Sequence, residues 1–258
     1  MNFLLAVFAG FVQGVTEFLP ISSTGHLIIF EKIFGISQEN FGLTFDASLH
    51  LGTLLAVLIF FAKDYFAGLT RKDGLIFKLI AGTVPAVVAG LLLEDLIDSA
   101  FRQIWIMSLT LIGFSLVFVL AEKYGKKIND MSKIGLFQAF IIGLFQAFAL
   151  VPGVSRSGST ISAGLFLNLK REDSAKFAFI LSGPIIAGAG AKKFFEAANN
   201  FNLLSSELNF FLIGMISSAF FGYLTIKYFL KYLTSKNLYP FVVYRVLLGL
   251  ILIGTLIF

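Results

Sequence analysis

The chain of 258 residues contains no cysteine. This absence excludes a disulfide framework, a thiol nucleophile and a thiolate metal site. Charged residues are also scarce, since they make up 14% of the chain, whereas a soluble domain usually carries about 25%. Hydrophobic residues account for 57%. Such a composition predicts a multi-pass membrane protein. The net charge of +5 is then explained by membrane-flanking loops, and no nucleic-acid partner is expected.

Six apolar segments are long enough to cross a bilayer, which takes about 20 residues of helix. The weakest of them is interrupted by Pro184 and several glycines. The six predicted spans are 45–62, 75–93, 103–121, 176–191, 209–226 and 241–258.

Two further segments, 2–34 and 135–168, each break at a cluster of proline, serine and glycine. Residues 13–26 read QGVTEFLPISSTGH, and residues 152–160 read PGVSRSGST. The helix expected after each break has about nine residues, so it rises about 14 Å, less than half of a bilayer. We predict two re-entrant helical hairpins. The alternative is a kinked span that runs into an interfacial helix.

The two hairpin segments are copies of one pattern. Gly10 and Gln13 recur as Gly143 and Gln146, 133 residues later. Three predicted spans follow each copy, and an odd number of crossings inverts the second copy relative to the first. The predicted fold is an all-α integral membrane protein with six transmembrane helices plus two re-entrant hairpins. Residues 1–258 form a single domain, with inverted repeats 1–130 and 131–258.

Basic residues are concentrated on one side of this topology. That side is cytoplasmic by the positive-inside rule, so both termini are predicted to be non-cytoplasmic. Its fourteen cations, out of 20 lysines and arginines in the chain, are Lys63, Arg71, Lys72, Lys78, Lys123, Lys126, Lys127, Lys133, Lys170, Arg171, Lys176, Lys227, Lys231 and Lys236.

The first hairpin carries groups suited to catalysis. Gln13 and Glu17 are four residues apart and share a helix face, where their oxygens could bind a hard cation such as Mg²⁺ or Ca²⁺. An ion pair between Glu17 and Arg156 is a compatible alternative. Ser22, Ser23 and Thr24 supply hydroxyls, and the nearby His26 could act as a base for a serine nucleophile.

Outside the hairpins, His50 shares a helix face with Asp46, and we interpret this pair as structural or supporting.

The second hairpin carries groups suited to an oxyanion. Arg156 is surrounded by the hydroxyls of Ser155, Ser157 and Thr160, and a short helix begins there with its free N–H groups. Phosphate fits this set best, while a buried structural arginine is the alternative. The residues by themselves indicate either a membrane phosphatase or an anion transporter.

The segments 13–26 and 152–160, together with Tyr244–Arg245, resemble the undecaprenyl-diphosphatase family, also called bacitracin-resistance proteins. The resemblance covers essentially the whole chain. It implies hydrolysis of undecaprenyl diphosphate to undecaprenyl phosphate and phosphate, which recycles the lipid carrier for cell-wall synthesis. It also implies a multi-pass protein of the bacterial plasma (inner) membrane, a site open to the outer face, and a divalent cation.

The resemblance also implies roles for individual residues. Glu17, Ser23, His26 and Arg156 would be catalytic, with Ser23 as nucleophile and His26 as its base, or with His26 as the nucleophile. Gln13 stands where family members carry Glu or Gln, which leaves one carboxylate fewer for a metal. The expected substrate-binding residues are Ser22, Thr24, Ser155, Ser157 and Thr160.

A different function stays open at this point. Inverted repeats with broken helices also occur in transporters, so a transporter or flippase of an anionic lipid is the alternative. The expected partners are a polyprenyl diphosphate and the bilayer. The sequence does not fix the oligomeric state, and it is compatible with a homodimer.

Overall fold

The computed structural model describes residues 3–36, 43–70, 74–99, 103–200 and 205–257. Over these ranges the chain is helical, apart from one parallel bridge between Asn129 and Leu169. A short 3₁₀ helix spans Met131–Lys133. The α-helices are α1 (Phe3–Phe18), α2 (Ser23–Phe34), α3 (Leu43–Phe60), α4 (Ala62–Thr70), α5 (Leu75–Ser99), α6 (Ile104–Tyr124), α7 (Leu136–Phe148), α8 (Arg156–Phe166), α9 (Arg171–Asn200), α10 (Ser205–Leu233) and α11 (Tyr239–Ile257).

The helices confirm a multi-pass membrane protein. Within the described residues, α5, α6, α9, α10 and α11 each contain a stretch long and apolar enough to cross a membrane. A sixth candidate consists of α3 and α4, which are bent by 67° at their junction. Each predicted span coincides with one of these six. Of the predicted cytoplasmic cations, Arg71 and Lys72 lie outside the described residues.

Both predicted hairpin segments break where the sequence indicates. Helices α1 and α7 are apolar but have only 16 and 13 residues, and α2 and α8 have 12 and 11. The short helices begin three or four residues earlier than predicted, because Ser22 and Ser155 are their N-caps. Each serine side chain accepts the N–H three residues ahead, from Gly25 at 3.4 Å and from Gly158 at 3.3 Å.

Each long hairpin helix packs on a helix from the other half of the chain. Helix α1 lies against α10, and α7 lies against α5. A Cβ added at Gly10 would lie 2.5 Å from the carbonyl oxygen of Gly214. A Cβ added at Gly143 would overlap the backbone of Gly82. Only glycine permits helices to approach this closely, so these positions set both crossings.

A buried carboxylate joins three helices at the end of the molecule that is rich in lysine and arginine. Glu122 of α6 accepts a bidentate contact from Arg171 of α9, at 2.7 to 3.0 Å. It also accepts the N–H of Leu238 at 3.0 Å, just before α11. Lys127 lies 3.7 Å from the same carboxylate. The contacts of Glu122 therefore fix the relative positions of α6, α9 and α11.

Candidate active site

The breaks of the two hairpins face each other across a cavity of about 330 Å³. The first hairpin contributes Glu17 and residues 22–24 to its wall, and the second contributes Ser155 and Arg156. Much of the remaining lining is apolar and comes from α3, α7 and α9. The structure thus brings most of the predicted site residues together in a pocket enclosed by apolar helices.

Glu17 is the centre of this cavity. Its Oε2 atom accepts a hydrogen bond from Ser23 Oγ at 2.5 Å and another from Gln13 Nε2 at 3.0 Å. Its Oε1 atom pairs with Arg156, which confirms the predicted ion pair. Only 4% of the Glu17 side chain is exposed, so the carboxylate is held in one orientation by buried partners. A carboxylate with a hydroxyl donor on one oxygen and a guanidinium on the other is arranged to accept a proton from Ser23.

Hydrogen bonds across the two breaks hold them in register. The N–H of Gly153 donates to Ser22 Oγ at 3.1 Å, and Ser157 Oγ donates to the carbonyl of Leu19 at 2.9 Å. Both N-cap serines have positive φ, 72° for Ser22 and 74° for Ser155, which non-glycine residues adopt at a cost. With α8 beginning at Arg156, its free N–H groups lie beside the guanidinium, a setting that favours an anion.

His26 lies on the other side of the first break, away from Glu17 and Ser23. Its Nδ1 is 2.7 Å from the carbonyl oxygen of Ser22, and its Nε2 is 2.7 Å from the hydroxyl of Tyr244. Because a carbonyl oxygen only accepts, Nδ1 carries the proton and the Tyr244 hydroxyl donates to Nε2. The imidazole lines a separate, mostly apolar cavity of about 460 Å³. The structure therefore does not place His26 as the base for Ser23, contrary to the sequence-based expectation.

The imidazole that does face the cavity belongs to His50. Its Nε2 lies 3.9 Å from Glu17 Oε2, and its Nδ1 lies 2.8 Å from the carbonyl of Asp46. Asp46 also lines the cavity. Two ionisable residues one turn apart in an apolar span were a visible signal in the sequence, but their approach to Glu17 was not.

Ser157 and Thr160, which we predicted to bind substrate, are directed away from the cavity. Ser157 bonds to Leu19, as described above, and Thr160 Oγ1 donates to the carbonyl of Arg156 at 2.7 Å. Both side chains are buried. Their hydroxyls are thus occupied in shaping the break and the first turn of α8, while Thr24 and Ser155 remain on the cavity wall.

The oxygen donors for a divalent cation are few. Among the described residues, no group of three or more histidine, aspartate or glutamate side chains is placed to hold a metal ion. Gln13 Oε1, however, is buried with no hydrogen-bond partner in the described part of the chain. A hard cation accepts such an oxygen, and Mg²⁺ commonly takes most of its ligands from substrate phosphates and water. The donors Gln13 and Glu17 fit a cation of this kind rather than a dedicated protein cage.

Comparison with known proteins agrees with this geometry. Residues 6–251 match the family model described as "Bacitracin resistance protein BacA". The chain is 41% identical to an undecaprenyl-diphosphatase of Rubrobacter xylanophilus, over 100% of this chain and 99% of the relative. It is 44% identical to an undecaprenyl-diphosphatase of Thermodesulfovibrio yellowstonii, over 96% of this chain and 95% of the relative. The chain therefore belongs to the bacitracin resistance protein BacA family.

Proposed function

We propose that this protein is a phosphatase that hydrolyses undecaprenyl diphosphate to undecaprenyl phosphate and inorganic phosphate. One observation carries the proposal: Ser23, Glu17 and Arg156 are in direct contact at a cavity enclosed by apolar helices. A hydroxyl, a base and a guanidinium are the groups that phosphoryl transfer requires. The relatives named undecaprenyl-diphosphatase cover the whole chain. These names favour a hydrolase over a transporter or flippase.

In the first step Ser23 attacks the terminal phosphorus of the diphosphate. Its proton passes to Glu17 Oε2, with which it already shares a 2.5 Å hydrogen bond. The bond from the terminal phosphorus to the bridging oxygen breaks, and that oxygen leaves with the lipid monophosphate. Arg156 and the N–H groups at the start of α8 neutralise the charge on the transferred phosphoryl group. Ser23 is left as a phosphate ester.

In the second step water attacks the phosphoserine. The bond between phosphorus and Ser23 Oγ breaks, and Glu17 returns its proton to that oxygen. The phosphate leaves with both protons of the water as H₂PO₄⁻. Ser155 supports both steps as the N-cap of α8, and Thr24 and Ser22 lie on the same cavity wall.

A divalent cation, Mg²⁺ or Ca²⁺, is part of the proposal. Glu17 and Gln13 would be its protein ligands. When bound, the cation neutralises charge on the diphosphate and so assists departure of the lipid phosphate. A chelator should then abolish phosphate release and either cation should restore it, whereas full turnover in excess chelator would contradict the cation.

We further propose an inverted-topology repeat of six spans and two re-entrant hairpins, α1–α2 and α7–α8. The contact between Gly10 and Gly214 supports it, because the corresponding residues 143 and 82 make the corresponding contact. We place the protein in the bacterial plasma membrane, with both termini outside and the cavity open to the outer face. A reporter fused after α11 should read non-cytoplasmic, and a cytoplasmic signal would overturn this orientation.

The function is tested by phosphate release from a polyprenyl diphosphate by the purified protein. Ser23→Ala and Glu17→Gln should each lose about 10²- to 10⁴-fold in turnover, because one removes the nucleophile and the other its proton acceptor. Ser235→Ala is the matched control, since this serine is exposed in the turn after α10 and should retain wild-type turnover. Unchanged turnover of Ser23→Ala would refute the mechanism.

A further inference from the structure

Arg245 is a fully buried arginine that the mechanism above does not use. It lies in α11 with 0% of its surface exposed. Its Nε–H donates to Ser115 Oγ at 3.1 Å, and its guanidinium carbon lies 4.6 Å from the centre of the Phe118 ring. Among the described residues, no carboxylate lies within 4.0 Å of it. A buried cation without a carboxylate is costly within apolar helices, so its presence calls for a function.

The remaining contacts of Arg245 lead to the second hairpin break. Its Nη2–H donates to the carbonyl of Gly153 at 2.9 Å and lies 3.4 Å from the carbonyl of Thr110. Thr110 Oγ1 in turn donates to the carbonyl of Pro152 at 2.6 Å. Both carbonyls of the Pro152–Gly153 turn are therefore held by α6 and α11.

This turn positions the site directly. Gly153 has a φ of 92°, which only glycine adopts without strain, and its N–H donates to the Ser22 hydroxyl that caps α2. Three residues later the chain reaches Arg156, the first residue of α8. A displacement of Gly153 would thus be transmitted to Arg156 on one side and to the cap preceding Ser23 on the other.

The first hairpin has no arginine in the corresponding place. Arg245 lies 133 residues after Ile112, and no guanidinium is therefore available from that position. The two halves differ at this point just as their breaks differ, since only the second break carries an arginine for phosphate.

We propose that Arg245 is a positioning residue for the phosphate-binding break, acting through Gly153 on Arg156. The inference rests on the proposed phosphatase function. It requires the guanidinium itself, because a lysine ammonium lacks the planar fork that spans Ser115 and Gly153 together.

The test compares Arg245→Met and Arg245→Lys with Arg156→Ala and the double variant Arg245→Met/Arg156→Ala. Arg245→Met should lower turnover about a hundredfold, as expected when a catalytic group is misplaced by about 1 Å. In the Arg156→Ala background the same change should cost at most about threefold, because the two residues act as one unit. Arg245→Lys should not restore wild-type turnover.

Two further measurements separate positioning from folding. The melting temperature of Arg245→Met should be unchanged or higher, because a buried charge without a carboxylate is removed. Amide hydrogen exchange should accelerate in the peptide covering 150–158 and not elsewhere. Arg171→Met is the control, since it breaks a contact with buried Glu122 and should lower the melting temperature while turnover per folded molecule is kept.

Several outcomes would overturn the proposal. They are wild-type exchange at 150–158 in Arg245→Met, full additivity with Arg156→Ala, or a melting temperature that falls in proportion to turnover. If Arg245→Met does not fold, Arg245→Lys is judged by the same exchange and turnover criteria. If the wild-type protein releases no phosphate, the proposed function fails, and the exchange measurement still decides whether Arg245 holds the break.

Discussion

Ser22 and Ser155 have the same backbone conformation, with φ of 72° and 74° and ψ of 94° and 112°. Each caps the short helix of its hairpin and accepts the N–H three residues ahead. Residues held at positive φ cost about 1–3 kcal/mol unless they are glycine. The strain is therefore present at both breaks, and in both it places a serine hydroxyl beside the cavity.

Replacing Ser22 should separate stability from activity. Ser22→Ala loses the cap and keeps the strained φ, so it should destabilise the protein by about 0.5–2 kcal/mol. Ser22→Gly relieves the strain and should keep or raise the melting temperature. Both variants lose the acceptor for the Gly153 N–H, so both should lower phosphate release. Equal melting temperatures for the two variants would argue against strain at this position.

Chemical trapping should identify Ser23 as the phosphorylated residue. In His26→Gln the site loses the contact with Tyr244 but keeps Ser23, Glu17 and Arg156. An acid-stable phosphoserine should therefore still form when the reaction is quenched, although more slowly. Mass spectrometry of the peptide that contains residues 17–26 checks this. An acid-labile phosphate on the wild-type peptide, lost in His26→Gln, would instead assign the nucleophile to His26.

The sequence predicts those parts of the structure that depend on local patterns. The lengths of the apolar runs locate all six spans, and the Pro-Ser-Gly clusters locate both breaks. The pairing of Glu17 with Arg156 is also predictable, because few charges lie inside the membrane and opposite charges there tend to pair. The starts of α2 and α8 were placed too late because the serines that cap them belong to the motif itself.

Contacts between distant segments were beyond the sequence. His26 was assigned to Ser23 because the two are three residues apart, yet its ring bonds to Tyr244, 218 residues away. His50 reaches Glu17 only because α3 packs against α1. The bend of 67° between α3 and α4 likewise leaves no proline or other strong signal at residue 61.

Two glycine substitutions should have opposite effects on stability. Gly143→Ala places a methyl group against the backbone of Gly82 and should cost about 1–3 kcal/mol by forcing α7 and α5 apart. Gly113→Ala has nothing within 4 Å of the new methyl group and should gain about 0.5–1 kcal/mol from helix propensity. Thermal unfolding in detergent measures both. Equal changes in the two variants would contradict close packing at the α5–α7 crossing.

The carboxylate at the basic end should matter for stability and not for chemistry. Glu122→Gln weakens the charged contacts to Arg171 and Lys127 and should destabilise the protein by about 1.5–3 kcal/mol. Turnover per folded molecule should stay at the wild-type level.

Lys170→Ala is the control for this variant. It removes an exposed ion pair with Asp130 and should change stability by no more than about 1 kcal/mol. A larger effect of Lys170→Ala than of Glu122→Gln would reverse the assignment.

The exchange of partners between the two halves has a consequence during translation. Helix α1 leaves the ribosome early, but α10, on which Gly10 packs, is among the last helices to be made. Until then the polar break of the first hairpin has neither Gly153 nor Arg156 as a neighbour. The nascent protein must keep this hairpin at the insertion machinery or the membrane surface, and it completes the site only after the chain is nearly finished.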